Sequence, residues 1–439
     1  MAIDYTDLTA ITDTLKIVYG EGLENQFADE KTTYNLFPKS DRSPKGLGYE
    51  FGIRYARAQG VGARRESANL PDPLAGKYDK GKIEPRYIYG SIRLTGPAIH
   101  AAKGDVAAFV DSLSDTVKDI YNSIVVDLNR MACSDGFGKL GLLSQASDAL
   151  SASVAWTVTF DNDLGVSRII PGMVVDFFTS GTTIDQSAVA SRVLSVNPSA
   201  KTIEMEGNDG TYKANHPIVA AQGYTIATDA VADAAVMVKI GAREAAHATT
   251  DTPTEMMGLE GIYDDGTLLA AFENITVADY PEWKASVLGN SSVNRELSLD
   301  LMLQALDLSR TRSGETVQCI RMGLGQRRKY ANLLIPDIRF TPGTLEGGYE
   351  RLTFSGGDGS VKMIIDPALP PNKMFFEPNG KIKKYEMASL GWGNIDPGMH
   401  QRAGYDEFDR FLRIYTNIGC EKRSCLTLLT DLVEPALYT

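Results

Sequence analysis

The sequence predicts an α+β fold, and three observations carry that expectation. A stretch from Asp105 to Met131 repeats its apolar residues in steps of three and four, as a helix with one buried stripe does. Two runs, Tyr49 to Tyr55 and Arg86 to Leu94, alternate residue by residue between two faces, as strands do. Beyond residue 290, helix, strand, helix and strand follow one another with hairpin signals around them.

In the long helix the expected core stripe is Phe109, Leu113, Val117, Ile120, Ile124 and Leu128, extended by Val106, Val110, Tyr121, Val125 and Met131. Asp105 is the expected N-cap, because its carboxylate can accept from the unpaired N–H groups of the first turn. At ~1.5 Å per residue such a helix is roughly 40 Å long, a spine on which other elements can lie. Before it, Tyr49, Phe51, Ile53 and Tyr55 oppose Glu50, Gly52, Arg54 and Ala56; later, Ile88, Ile92 and Leu94 oppose Tyr87, Tyr89 and Arg93. The two runs read as the strands of one extended hairpin, joined by residues 57–82, which are rich in Gly, Arg, Lys and Pro and carry no core pattern. A lone two-stranded hairpin is marginal in water. The expectation is that this one rests on a neighbouring subunit.

Charge sharpens that expectation. From Tyr49 to Leu94 there are nine basic residues (Arg54, Arg57, Arg64, Arg65, Lys77, Lys80, Lys82, Arg86 and Arg93) and five acidic ones. The hairpin is therefore net +4, against −16 on the remainder of a chain of net charge −12. A basic arm on an acidic body fits nucleic acid, the acidic surface of an identical copy, or simple solvation. The length of 439 residues allows two or three domains. A hydrophobic fraction of 43% with 23% charged residues is ordinary for a soluble globular protein. MAIDYTDLTA lacks a basic and an apolar segment, so no secretory signal is expected. No apolar run approaches the ~18 residues that cross a membrane. Cys133, Cys319, Cys420 and Cys425 lack zinc or redox spacing and are expected as reduced thiols, and the Asn-x-Ser/Thr sites at Asn274 and Asn290 carry no meaning without secretion.

Taken in order, residues 1–45 read as an N-terminal arm with a short helix between Asp13 and Tyr19 and a loop through TTYNLFPKSDRSPKG. Gly136, Gly138 and Gly141 spell G-x-G-x-x-G, but a dinucleotide site needs a strand before that motif. Here it follows a helix, and the glycines read as C-cap and turn. From about 154 to 225, short alternating runs (Val154–Phe160, Met173–Phe178, Val193–Val196, Ile203–Met205) separated by turn residues read as a small β-barrel or sandwich inserted in a longer domain. Met256 to Gly266 (MMGLEGIYDDG) reads as a turn-rich junction. Arg295 to Ser313 reads as a helix apolar nearly all round, hence buried within a domain, stopped at Gly314. A strand to Met322, a helix from Gly325 to Leu334 and a strand from Val361 to Ile365 follow. Pro378-Asn379-Gly380 predicts a hairpin joining Met374–Phe376 to Ile382–Tyr385, and Phe408 to Ile418 closes the chain as a strand.

No catalytic constellation is visible. G-x-S-x-G, H-E-x-x-H and the P-loop pattern are absent, and His100, His216, His247 and His400 stand apart from one another and from Cys. The Asp264-Asp265 pair sits beside Gly and reads as a turn former. The sequence predicts no enzyme, no cofactor and no metal.

The ordered set of arm, basic extended loop, helix at Asp105–Met131, helix–strand–helix at 295–334, closing strand Phe408–Ile418 and the segments MMGLEGIYDDG and IIDPALPPNKMFF resembles the major capsid proteins of tailed bacteriophages, the Hong Kong ninety-seven fold. The resemblance implies an N-terminal arm at 1–45, an extended loop at 46–98, spine helix and peripheral domain at 99–153, an inserted β-barrel at 154–227 and peripheral domain again at 228–290. It further implies an axial domain at 291–373 and peripheral return strands at 374–439. On this likeness Arg54, Arg57, Arg64, Arg65, Lys77, Lys80 and Lys82 contact a neighbouring subunit, and Arg339 and Arg351 lie near a capsomer axis. The implied partners are other copies in pentamers and hexamers, a separate scaffolding protein, a portal protein, packaged double-stranded DNA without sequence-specific contact, and a decoration protein, with no membrane. The implied location is the virion capsid, assembled in the host cytoplasm. An encapsulin-like compartment would share the fold but enclose protein cargo, and a nucleic-acid-binding protein would use the basic loop alone.

Overall fold

The computed structural model describes residues 32–95, 97, 112–144, 155–162, 166–179, 183–184, 191–206, 236–240, 242, 254–334, 353–355, 359–393, 400–401 and 404–434. The chain divides into two units, one of 1–29, 90–123 and 392–412, the other of 30–89, 124–391 and 413–439. It is a mixed α and β structure with several sheets and few helices.

In the larger unit the core is a six-stranded sheet built from β13 (Ser286–Leu288), β14 (Cys319–Met322), β15 (Thr353–Ser355), β16 (Ser360–Ile365), β17 (Met374–Glu377) and β21 (Thr427–Leu429). Its order is β13-β21-β17-β14-β16-β15. β14 and β17 are buried at all four positions, which suits a central pair covered on both faces. Two helices pack on it, α4 (Leu299–Ser313) and α5 (Leu324–Leu334), and Met302, Ala305 and Tyr330 join Ile320, Met322 and Phe376 in one cluster. Ser298 caps α4, its side chain accepting from Leu301 N, and Gly314 ends it in the left-handed region at φ 73°.

Three expectations need correction here. α4 is not buried all round: only Met302, Ala305 and Ser309 are buried, and Leu303 is exposed. Its leucines are too many for the single face that meets the sheet. The Asn379-Gly380 turn does reverse the chain, with Gly380 at φ 73°, but it makes no hairpin. β17 belongs to the six-stranded sheet, whereas β18 (Ile382–Trp392) pairs with β20 (Glu407–Cys420) in another. The segment 256–266 is more than the turn-rich junction expected. Met256, Leu259, Ile262 and Tyr263 are all fully buried, and a short helix α3 (Leu259–Ile262) sits inside.

A second sheet has the order β4-β10-β6-β8-β9-β5, with β7 (Thr183–Ile184) paired to β6. Its strands are β4 (Lys139–Leu142), β5 (Trp156–Thr159), β6 (Val174–Thr179), β8 (Ser191–Asn197), β9 (Thr202–Met205) and β10 (Val236–Lys239). The two edges meet: Leu143 bridges Phe160, Ser144 N donates to Thr159 O at 3.0 Å and Asp161 N to Leu142 O at 3.0 Å. Inside lie Leu140, Trp156, Val175, Phe177, Met205 and Met237. The sheet thus extends past the expected limits of 154–227, because β4 and β10 supply both strands and core. Gly136 and Gly138 adopt φ of 85° and 72° and lead into β4, the turn role expected of them.

The long helix, α2 (Ser112–Ala132), ends in the larger unit with Ile124, Leu128 and Met131 buried. Ile120 is half-buried and Tyr121 is exposed, so the stripe is narrower than the periodicity predicts. Residues 105–111, Phe109 among them, and the segment 13–19 lie outside the described residues, as do the side chains of Leu113 and Val117. In the smaller unit Arg93 Nε donates to Asp409 Oδ1 at 2.7 Å, Gly393 N to Phe411 O at 2.9 Å, and Arg410 stacks 3.7 Å from the Trp392 ring centroid. The segment read as a loop after residue 30 begins instead with a helix, α1 (Thr32–Leu36), whose Thr33, Tyr34 and following Phe37 are buried.

Candidate functional site

The feature that stands out from the packed units is the basic arm, and its topology differs from the expectation. β1 (Tyr49–Ala56) pairs antiparallel with β2 (Lys77–Ile83), Phe51 opposite Gly81 and Tyr49 opposite Ile83. The run expected as the return strand, β3 (Arg86–Thr95), instead pairs with β20. β2 escaped the sequence reading because KYDKGKI carries a single aliphatic residue. Its inner face is Gly81 and Ile83, and the Phe51 ring lies so close over Gly81 that a side chain there would overlap it.

Root and tip of this arm differ sharply. At the root Phe51, Ile53 and Ile83 are buried. Lys82 N donates to Glu273 O at 2.7 Å, and Asn417 Nδ2 to Glu84 O at 2.7 Å. Tyr49 donates to Glu421 at 3.3 Å while accepting from Arg42 Nη1 at 2.6 Å. Tyr55 packs edge-on to Tyr280 with centroids 4.7 Å apart, and the Tyr280 hydroxyl bonds to Asp79, whose carboxyl is held below its ordinary range by that bond and by the Lys80 amide. Farther out the ladder thins to one pair, Gln59 N to Leu74 O at 3.0 Å and Leu74 N to Gln59 O at 2.7 Å. From residue 57 to 75 every side chain but that of Pro71 is exposed, including Val61 at 96% and Leu70 at 85%.

The expected contact residues all lie on this arm. Arg64 closes the tip by donating to Asn69 O at 3.1 Å, and Ala68 N donates to Arg65 O at 3.1 Å. Arg54 donates to Ala56 O at 3.4 Å and lies 5.7 Å from the centre of the Tyr78 ring. Lys80 faces Glu50 at 3.8 Å and Lys82 pairs with Glu84 at 2.8 Å. Arg57, Arg65 and Lys77 are exposed. Arg339 and Arg351 lie outside the described residues.

Sequence reasoning missed the residues that hold the root. β11 (Ala271–Phe272) and β12 (Ile275–Thr276) form a tight hairpin through Glu273 and Asn274, at φ 50° and 62°. Asn in that position is a usual turn signal, but Glu is not. Behind it Arg423, wholly buried, stacks on Phe272 and Trp283 and donates to the carbonyls of Ile262 and Asp264. Asp264 keeps the turn role expected of it, accepting from Gly266, Leu268 and Leu269. All four cysteines are free and buried. Among the described residues no cluster of His, Cys, Asp and Glu could hold a metal ion, and no helix is long and apolar enough to cross a membrane.

No protein-family model matches the chain, and no curated protein does. Solved structures do. A capsid protein of Cyanophage A-1(L) superposes with a TM-score of 0.58 at 12% identity, over 96% of this chain and 98% of that one. The capsid protein of a native GTA particle gives 0.50 at 8% identity, over 98% and 100%. That of the empty GTA particle gives 0.50 at 7%, over the same shares. The chain has the fold of tailed-phage major capsid proteins.

Proposed function

We propose that this chain is the coat subunit of a tailed-phage capsid, carrying out no reaction and acting through self-association into the pentamers and hexamers of an icosahedral shell around double-stranded DNA. The observation that carries the reading is the arm. A stretch of 57–75 with nearly every side chain exposed, Val61 and Leu70 among them, has no partner surface among the described residues of its own chain. A second copy with an acidic body supplies one. In this reading α2 is the spine, the closed seven-stranded sheet is the inserted domain with limits widened to 139–239, and 291–373 is the axial domain carrying Arg339 and Arg351. Scaffolding, portal and decoration proteins are its further partners, and the virion capsid is its location.

The test is sedimentation of the purified chain beside negative-stain microscopy. Obligate interfaces bury about 2,000–5,000 Å², so shells or capsomers are expected at micromolar concentration. A clean monomer in the presence of the native scaffold would overturn the proposal.

A further inference from the structure

At the root of the arm sits a carboxyl group that shell formation does not call upon. Both ends of Glu273 face the arm and its neighbour strand. Its carbonyl takes the Lys82 amide at 2.7 Å, and its Oε1 takes the Cys420 amide at 3.0 Å. The packing is close: a Cβ on Gly419 would stand 2.6 Å from Oε1 and 2.6 Å from Ile83 Cδ1, the arm residue beside it. The other oxygen, Oε2, is buried and takes no hydrogen bond. The backbone is held in the left-handed region at φ 50°, a conformation a glutamate keeps only when its surroundings impose it.

The charged and titratable groups around it are engaged elsewhere. Arg423 donates to Ile262 and Asp264 carbonyls. Glu421 accepts from Tyr385 at 3.1 Å and from Tyr49. Lys82 pairs with Glu84 on the arm. Cys420 and Cys425 are buried and form no disulfide, with Cys425 Sγ donating to Lys422 O at 2.8 Å, and burial pushes the Tyr385 hydroxyl up.

We propose that Glu273 is a proton-operated latch on the arm: with a proton it lets the root close over it, and without one it loosens the joint between the Lys82 strand and the β11–β12 turn. A buried carboxylate with one oxygen lacking a donor is costly, whereas the neutral acid tolerates that place. Burial pushes the Glu273 carboxyl up to about 8, against the Cys420 amide and Arg423, with Glu421 adding to the rise. The ordinary value is 4.5. The folded root therefore holds its proton longer than the opened one does. Its attachment is firmest below pH 4.5, weakens as pH rises through the interval to about 8, and is level above. This device belongs to a single chain, so it stands or falls independently of shell formation.

The test is hydrogen exchange at the Lys82 and Cys420 amides of the full chain at pH 6 and pH 8, corrected for intrinsic rates. Protection is expected to be roughly 50-fold higher at pH 6, and Glu273→Gln is expected to abolish the difference. Equal protection in the wild type at both values, or the same ratio in Glu273→Gln, would overturn the proposal. Should Glu273→Gln fail to fold, the side-chain carboxyl ¹³C resonance of Glu273 in the wild type decides. Titration well above the ordinary carboxylate range supports the latch, and titration within that range removes it.

Discussion

The end of α2 and the tip of the arm are opposite solutions to the same chain's chemistry. Around Ser134 the backbone itself is packed. A methyl group on Gly258 would overlap Met131 O and Ser134 O and lie 2.7 Å from Ser134 N. Arg130 bridges Asp127 at 2.8 Å and Glu255 at 2.6 Å there, and Arg168 donates to the carbonyls of Cys133, Lys139 and Ala368. At the tip, Arg64 and Arg65 bond only within their own turn and their side chains are exposed. The difference separates residues that hold the subunit together from residues available to something else.

If that division holds, substitutions in the packed region act on stability first. The largest effect is expected at the Arg321–Glu377 pair, buried on both sides with 2.7 Å between Arg321 Nη2 and Glu377 Oε1. Glu377→Ala leaves a buried guanidinium unpaired and should cost ~3–5 kcal/mol, while Arg321→Met with Glu377→Leu should come out near neutral. Denaturant melts of the three proteins check this; a double variant as unstable as the single one would show that the charges do more than pair. Gly258→Ala comes next, at about 3 kcal/mol, because the overlapping atoms are backbone and cannot swing aside. A melting temperature within about 1 °C of wild type, roughly the shift that about 1 kcal/mol produces in a chain of 439 residues, would show that the region can yield.

The arm's first strand and the closing strand are legible in the sequence because alternation is a local signal, and so are the Gly314 stop and the strands between 154 and 205. What was not legible depended on partners distant in the chain. β2 is a strand because Phe51 covers Gly81, a fact no property of KYDKGKI announces. α1 is a helix docked by Thr33 N on Asp366 Oδ2 and by Tyr34 N on Asn129 Oδ1, both at 2.9 Å, and TTYNL alone gives no hint of either. The 378–380 turn was read correctly as a turn, but its strands go to different sheets, which turn chemistry cannot decide. Glu273 was invisible for the same reason: its importance comes from Lys82 and Cys420, far from it in sequence.

A smaller effect on the packed side appears only in acid. Glu260 lies half-buried on α3 beside Lys373, 2.6 Å away. Burial alone would raise its carboxyl, but Lys373, Arg168 and Lys139 outweigh that and hold it at about 2, below the ordinary 4.5. A depressed carboxylate contributes stability above the unfolded value, here about 3 kcal/mol, and that contribution falls away as pH drops from 4.5 toward 2. Unfolding measured across this interval should show a steeper loss in the wild type than in Glu260→Gln. Parallel curves would mean that the Lys373 pair contributes nothing specific.

The smallest effect on stability, and the most telling one for function, is expected at the tip. Arg64→Glu with Arg65→Glu should change folding by at most ~0.5 kcal/mol, since both side chains are exposed and neither supports the core. If the tip meets acidic groups of another copy, each such exposed pair contributes about 0.2–1 kcal/mol, small once but repeated at every subunit of a shell. The double variant should then melt like the wild type and yet assemble poorly by light scattering. Wild-type assembly should itself decline as salt approaches 1 M, where the Debye length is about 3 Å. Normal shells from the double variant, with no salt effect on either protein, would assign the charges of the tip to solvent and leave its exposed apolar residues, Val61, Leu70 and Leu74, as the part with a reason to seek a neighbour.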